Sequence, residues 1–278
     1  MKTKFILTFC VSVLSVFLPV NLFCQTGNPA DIKEWKGKTI MFFAAHPDDE
    51  TLVSGTLAIL ARNGNKIYVV IFTSGNNGSR DLEMTSERLA QIRKKEDIAA
   101  NAVLGIPEEN IFFLGYDDGM LEYVPQKELC EKVCWFIRKY RPDAVFSFDP
   151  GSEWMQWHKT DHRMAAFISI DGARAAAYHL YFPHHRIDQG LQPYTVRDFF
   201  FFDSNEPDYK VDVTNVSETK IRSRILYVSQ FGAGNMKYVG PEPDQKRLNE
   251  QLKNNAERIV KGEKIYENLR RVQESLSY

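Results

Sequence analysis

Residues 39–50, TIMFFAAHPDDE, decide the fold. Ile40, Met41, Phe42 and Phe43 form a continuous apolar run, and the small Ala44 and Ala45 follow. An unbroken run suits a strand covered on both faces, as in a parallel sheet. His46, Pro47, Asp48, Asp49 and Glu50 come next. Pro47 has no N–H for a ladder, so the strand is expected to end near His46. Leu52, Val53 and Leu57 then resume at helical spacing. Several chargeable groups therefore stand between a central strand and a helix, the edge at which open α/β sheets bind ligands.

The pattern repeats outward from this point. A first strand is expected over residues 38–45 and a helix over 50–62, closed by Asn63-Gly64-Asn65. KIYVVIFT (66–73) reads as a second buried strand and SGNNGS (74–79) as the loop after it. A helix over 83–104 ends at Gly105-Ile106-Pro107, and NIFFLGY (110–116) is a third strand that runs into Asp117, Asp118 and Gly119. A helix over 126–140 and a fourth strand, DAVFSF (143–148), follow. Strand and helix alternate throughout. This predicts an α/β, Rossmann-like open sheet, mostly parallel, with helices on both faces and a site at the C-terminal edge of the strands. The first turn carries HPDDE in place of G-x-G-x-x-G, which argues against a dinucleotide.

One imidazole and two adjacent carboxylates in a tight turn suit a metal. His46 and Asp49 could converge on one ion while Asp48 stays beside it, and a catalytic zinc would need a third ligand from elsewhere. The plainer alternative is a polar turn with Asp48 or Asp49 as a helix N-cap. A second polar cluster lies at residues 151–163, with Trp154, Trp157, His158, Lys159, Asp161 and His162 ahead of a helix expected over 164–178. Arg93 and Glu96 are spaced as an i,i+3 ion pair on a solvated helix face. His179, His184 and His185, around Pro183, read as a surface loop. Residues 199–202 are a strand candidate, and the charged stretch 249–276 reads as a helical C-terminal extension.

AHPDDE (45–50) after an apolar strand, with WHKTDHR (157–163) near mid-chain, resembles the LmbE-like, or PIG-L, family of zinc-dependent N-acetylglucosaminyl deacetylases. The resemblance runs from about residue 38 to about 230. It implies Zn²⁺ on His46, Asp49 and His162, with Asp48 as general base. It implies His158 or Asp48 as proton donor to the leaving amine, Asp161 as the group that orients a histidine, and Asp117, Asp118 and Trp157 against the sugar. His158 lies four residues before His162, where the family has three, so its place depends on a one-residue bulge. The R-x-x-E of the family matches Arg93 and Glu96, and its D-[IV]-T and lysine match Asp212-Val213-Thr214 and Lys220. Its late H-x-S-Q meets Tyr227, Ser229 and Gln230, with tyrosine in place of histidine.

The chain has 278 residues, 44% hydrophobic and 26% charged, with a formal net charge of −1. That is ordinary globular composition and gives no reason to expect nucleic acid or an anionic membrane as partner. Lys2 and Lys4 precede an apolar run over 5–23, the layout of a signal peptide (residues 1–24). Export to a periplasmic or extracellular address is expected, with residues 25–278 as a single domain. A retained anchor or a lipid on Cys24 are the alternatives. No later segment reads as a membrane span, and a homo-oligomer is compatible with the sequence. Cys130 and Cys134 share a helix stripe with Leu129 and Val133 and read as core. The expected substrate is an N-acetylated amino sugar or glycoconjugate. The rivals are a metal-dependent hydrolase of another bond, which product analysis would separate, and a carbohydrate-binding protein without catalysis, against which the intact Asp48 argues.

Overall fold

Ile40–Ala44 are completely buried, and the strand they form, β1 (Thr39–Ala44), lies inside a seven-stranded sheet. The structure is a computed structural model that describes residues 31–151 and 160–273. β1 is flanked by β2 (Lys66–Thr73) and β4 (Ala144–Phe148), both parallel to it, with Ile40 opposite Ile67 on one side and Ala144 on the other. β3 (Ile111–Tyr116) lies outside β2, and β5 (Asp198–Phe202) outside β4, again parallel. Beyond β5 come β7 (Tyr266–Val272), antiparallel to it, and β6 (Tyr209–Asp212), antiparallel to β7. The order is β3-β2-β1-β4-β5-β7-β6.

The chain builds outward from β1 through β2 to β3, then returns to place β4 on the other side of β1. The order therefore reverses between β1 and β4, which opens a crevice at the C-terminal ends of those two strands. The helices follow in chain order as α1 (Ser54–Arg62), α2 (Ser86–Leu104), α3 (Gln126–Tyr140), α4 (Thr160–Ala177), α5 (His184–Ile187), α6 (Ser217–Arg224) and α7 (Gln245–Val260). α6 packs on α1, α2 and α7, and α3 packs on α4. These two groups cover opposite faces, as right-handed crossovers from β1 to β3 and back to β4 require. Aromatic pairs line one face of the sheet: Phe42 stacks on Phe202 at 5.1 Å and Phe146 on Phe200 at 4.8 Å. Such pairs add about 1 kcal/mol each beyond their burial. No helix among the described residues is long and apolar enough to cross a membrane.

Several boundaries differ from expectation. β1 ends at Ala44, and Ala45 O accepts from both the amide and the hydroxyl of Thr73. A 3-10 turn (Asp49–Leu52) precedes α1, so the helix starts four residues later than the apolar spacing suggested. α4 starts at Thr160, which puts Asp161 and His162 in its first turn. The expected C-terminal helix over 249–276 is wrong in its second half. α7 stops at Val260, and Tyr266–Val272 is a strand between β5 and β6. The physical reason is period-2 burial: Glu267 and Leu269 are buried while Tyr266 and Asn268 are exposed. The segment around His184 and His185 is a short helix with His185 buried, where a surface loop was expected. The signal-peptide reading falls on residues 1–24, outside the described residues.

Candidate metal and catalytic site

The turn after β1 folds so that its side chains diverge. Asp49 Oδ2 accepts from the amide of His46 at 2.8 Å, which leaves Oδ1 facing the crevice. Neither aspartate acts as expected of a simple cap: Asp48 occupies the N-cap position of the 3-10 turn without a side-chain capping bond. Asp48 has φ 143°, a conformation that L-residues avoid. From the far side of the crevice the first turn of α4 brings His162, whose ring stacks on Phe148 at 4.0 Å.

His46 Nδ1, Asp49 Oδ1 and His162 Nε2 converge. Their separations are 3.2 Å between the two imidazoles, 3.6 Å from His162 to Asp49 and 3.8 Å from His46 to Asp49. Ligand atoms held tetrahedrally at about 2.0–2.2 Å from an ion lie about 3.3–3.6 Å apart, so this set fits a zinc-sized cation. The other nitrogen of His46 is already engaged. Nε2 lies 3.0 Å from Asp118 Oδ1 and 3.1 Å from Asp161 Oδ2. A proton on Nε2 leaves the Nδ1 lone pair for the ion, the usual carboxylate–histidine–metal arrangement. Asp161 is itself fixed by the amides of Gly119 (2.6 Å) and Leu121 (3.1 Å).

The electrostatics follow from this crowding. Burial draws the His46 pKa down, but hydrogen bonds that the ring donates to Asp118, Asp161 and Asp49 outweigh it and hold the group well above the ordinary imidazole value. Burial pushes Asp49 up, yet the neighbouring His162 and His46 pull it down to about 2. Asp118 also ends low, because His46 and Arg93 outweigh its burial.

Arg93 was missed as a site residue by the reading of Arg93 and Glu96 as a solvated pair, which the structure corrects. Arg93 is buried and donates to Pro47 O (2.9 Å) and Gly75 O (3.0 Å), and its Nη2 pairs with Asp48 Oδ1 at 3.1 Å. One guanidinium thus joins the loops after β1 and β2. Gly75 permits this: it has φ +62°, and a Cβ there would lie 2.4 Å from Arg93 Nη1. Glu96, one turn on, accepts from the amide and hydroxyl of Ser229 at 2.9 and 2.6 Å. Beneath the turn, Glu50 and Asp97 are fully buried, and burial first, then the charge of Asp97 on Glu50 and of Asp48 on Asp97, raises both well above ordinary carboxyl values. Tyr227, which stands in place of a histidine, donates to Asp97 Oδ1 at 3.2 Å.

The sugar-side residues divide. Asp118 joins the site, held by Asn76 Oδ1 on its amide (2.9 Å) and Asn77 Nδ2 on its carbonyl (2.7 Å). Asp117 turns away to Asn76 Nδ2 and does not meet the metal-facing groups. Trp157 and His158, with Trp154 and Lys159, lie outside the described residues.

Known proteins resemble this chain in both sequence and structure. Residues 41–172 match the family model described as GlcNAc-PI de-N-acetylase, PIG-L. A diacetylchitobiose deacetylase of Thermococcus kodakarensis is 30% identical over 196 residues, 70% of each chain. A probable N-acetylglucosaminyl-phosphatidylinositol de-N-acetylase of Dictyostelium discoideum is 33% identical over 40% of this chain and 42% of its own. Among solved structures, the N,N'-diacetylchitobiose deacetylase of Pyrococcus horikoshii superposes with a TM-score of 0.69 at 27% identity, covering 85% of this chain and 84% of its own. A 4-carboxy-2-hydroxymuconate hydratase of Pseudomonas putida shares the fold at TM-score 0.61 and 20% identity, over 87% of this chain and 98% of its own. The HPDDE turn, the α4 histidine and this extent of likeness together establish that the chain belongs to the PIG-L family of N-deacetylases.

Proposed function

We propose that the protein removes the N-acetyl group from an N-acetylglucosamine-type sugar or glycoconjugate, using Zn²⁺ held by His46 Nδ1, Asp49 Oδ1 and His162 Nε2. The observation that carries this reading is the convergence of those three atoms with Asp48 beside them and outside the set. A zinc ion bound there would lower the pKa of water toward about 7 and polarise the acetamide carbonyl. The chain's own groups have separate tasks. Asp48, aimed by Arg93, accepts the proton of the attacking water. Asp161 and Asp118 hold the His46 ring so that Nδ1 faces the crevice. Asp48 in its acid form, or His158, returns a proton to the amine as the C–N bond breaks. The products are acetate and a primary amine, so atoms and protons balance.

The fold alone does not select this reaction, because a hydratase shares it. The donor set and the sequence relatives support it. The deciding experiment measures acetate release from N-acetylglucosamine and its short oligomers, diacetylchitobiose included, by EDTA-treated protein with and without added Zn²⁺. Release that requires Zn²⁺ and falls about 10²–10⁴-fold in Asp48→Asn is the expected result. Asp48→Asn should still bind the ion. Release of phosphate, or of no amine, from a wider panel would overturn the reading. We also propose export, on the basic-then-apolar layout of residues 1–24. N-terminal sequencing of protein recovered outside the cytoplasm should begin near Gln25.

A further inference from the structure

A second convergence of ligand atoms lies at the other end of α4. α4 has 18 residues, so its C-terminus is roughly 25 Å from His162. There Arg138 of α3 donates to the carbonyls of Ala175, Ala176, Tyr178, Tyr181 and Phe182, and so fixes the turn that leads into α5. The turn presents His184 and His185 to Glu131, which lies two turns before Arg138 on α3. His184 Nε2 is 2.7 Å from Glu131 Oε1, and His185 Nε2 is 3.7 Å from the same oxygen. The two rings are 4.6 Å apart at 74°. One ligand atom from each of the three side chains falls within 4.8 Å of the others.

We propose that Glu131, His184 and His185 form a second divalent-metal site, of the class that takes Zn²⁺, independent of the deacetylase reading. Two imidazole nitrogens and one carboxylate oxygen are a donor set for zinc and its borderline neighbours. An Nε2–H of His184 donated to Glu131 accounts for the 2.7 Å contact. It does not account for His185, a 2% exposed residue whose Nε2 points at the same oxygen from beyond hydrogen-bond distance. The inner face of that ring sets its tautomer. Its Nδ1 meets Arg138 Nη1 at 3.3 Å and Cys134 Sγ at 3.9 Å. Arg138 can only donate, so Nδ1 accepts from Nη1 and the ring proton lies on Nε2. An ion at Nε2 would displace that proton, and Nδ1 can take it up on the side of the sulfur while Nη1 keeps Phe182 O as its acceptor. The cluster forms one wall of a cavity of about 520 Å³, shared with Glu128, Trp135 and Gln189, from which water can complete the coordination. A metal there would tie α3 to the turn between α4 and α5.

The test counts bound metal. EDTA-stripped full-length protein is loaded with Zn²⁺ at neutral pH, desalted and measured by elemental analysis. The wild type should hold two equivalents. His184→Gln and Glu131→Gln should each hold one, with deacetylase activity unchanged, because neither residue is in the catalytic crevice. His46→Ala should also hold one, and His46→Ala/His184→Gln none. Added Zn²⁺ should raise the Tm of His46→Ala and leave that of the double variant unmoved. The proposal is overturned if His184→Gln and Glu131→Gln leave the wild-type stoichiometry unaltered. Failure of the first site would look different: His46→Ala would change nothing, while His184→Gln would still remove one ion.

Discussion

At the residue scale, Asp48 combines two properties that are rarely joined: a backbone at φ 143° and the carboxylate proposed to act as base. Strain of this kind costs about 1–3 kcal/mol and persists only where neighbours impose it. Here Arg93 imposes it through Pro47 O, Gly75 O and Asp48 itself. Glycine at position 48 would remove the strain, offset by about 0.5–1 kcal/mol of extra chain entropy. Asp48→Gly is therefore expected to unfold at the same or a slightly higher denaturant concentration than wild type while losing turnover. A clear loss of stability would show that the carboxylate, and not the backbone, is what the site maintains. Asp161 makes a complementary case. Asp161→Asn keeps the shape but weakens the acceptor on His46 Nε2. Removing such a partner typically costs 10–100-fold in metal affinity. Competition with a fluorescent chelator would measure it, and an unchanged affinity would assign Asp161 to the 119–121 turn alone. Beneath them, Asp97 titrates high because of burial and the nearby Asp48 charge. A raised folded-state pKa means the native chain holds protons that the unfolded chain loses above about pH 4, so this group erodes stability as pH rises. The Tm of Asp97→Asn relative to wild type should therefore be more favourable at pH 8 than at pH 4.5, and an equal difference at both would refute the raised carboxyl.

At the element scale, the start of α1 depends on a distant strand. Its N-cap, Val53, has no capping side chain. Glu267 of β7 instead accepts from the amides of Gly55 (2.9 Å) and Thr56 (2.7 Å) and from the Thr56 hydroxyl (2.6 Å). Lys220 balances its charge at 2.6 Å and reaches Thr51 O at 2.8 Å. The helix that backs the HPDDE turn is thus anchored by a buried carboxylate more than two hundred residues away in sequence. Glu267→Ala leaves those donors and Lys220 uncompensated, and a loss of about 3 kcal/mol is expected by urea denaturation. A change below about 0.5 kcal/mol, the range of ordinary surface substitutions, would mean that water replaces the carboxylate. This element also marks the limit of what the sequence reveals. The parallel core was legible because β1 and β2 are continuous apolar runs and β4 is interrupted only by Ser147, whereas the pairing of Asp49 with His162 was implied by the family resemblance of their two motifs. Tyr266–Val272 was not legible, because charged residues at Glu267, Arg270 and Arg271 mask its two-residue period. Their charge is met by partners far along the chain: Glu267 by Lys220, Arg270 by Asp149 and Arg271 by Asp198. Arg93 escaped for the same reason, since nothing local signals that its acceptors are carbonyls of two other loops.

At the scale of the whole molecule, those long-range ion pairs decide how the sheet holds together at its antiparallel end. β7 joins the parallel sheet through β5, and Arg270 reaches past β5 to Asp149, at the end of β4 and on the rim of the crevice. Asp149 is 3% exposed and receives both Nε and Nη2 of Arg270. Burial raises its pKa, but the hydrogen bond and charge of Arg270 outweigh this and leave it below the ordinary value. A carboxyl depressed on folding stabilises the native state above its unfolded pKa of about 3.9, and that contribution disappears as pH falls through the folded value. The pair therefore fastens β7, and with it Glu267 under α1, at neutral pH and releases them in acid. Asp149→Asn should be less stable than wild type at pH 7, and the gap in Tm should close as pH is lowered from about 4 toward 3, because only the wild type has a proton to gain. Amide exchange gives the spatial test: protection across Tyr266–Val272 should be lost at a higher pH than protection across β1, where Ile40–Ala44 are sealed on both faces. If both strands lose protection together, β7 and the parallel core unfold as one unit, and the Asp149–Arg270 pair has no separate part in keeping the crevice closed at that end.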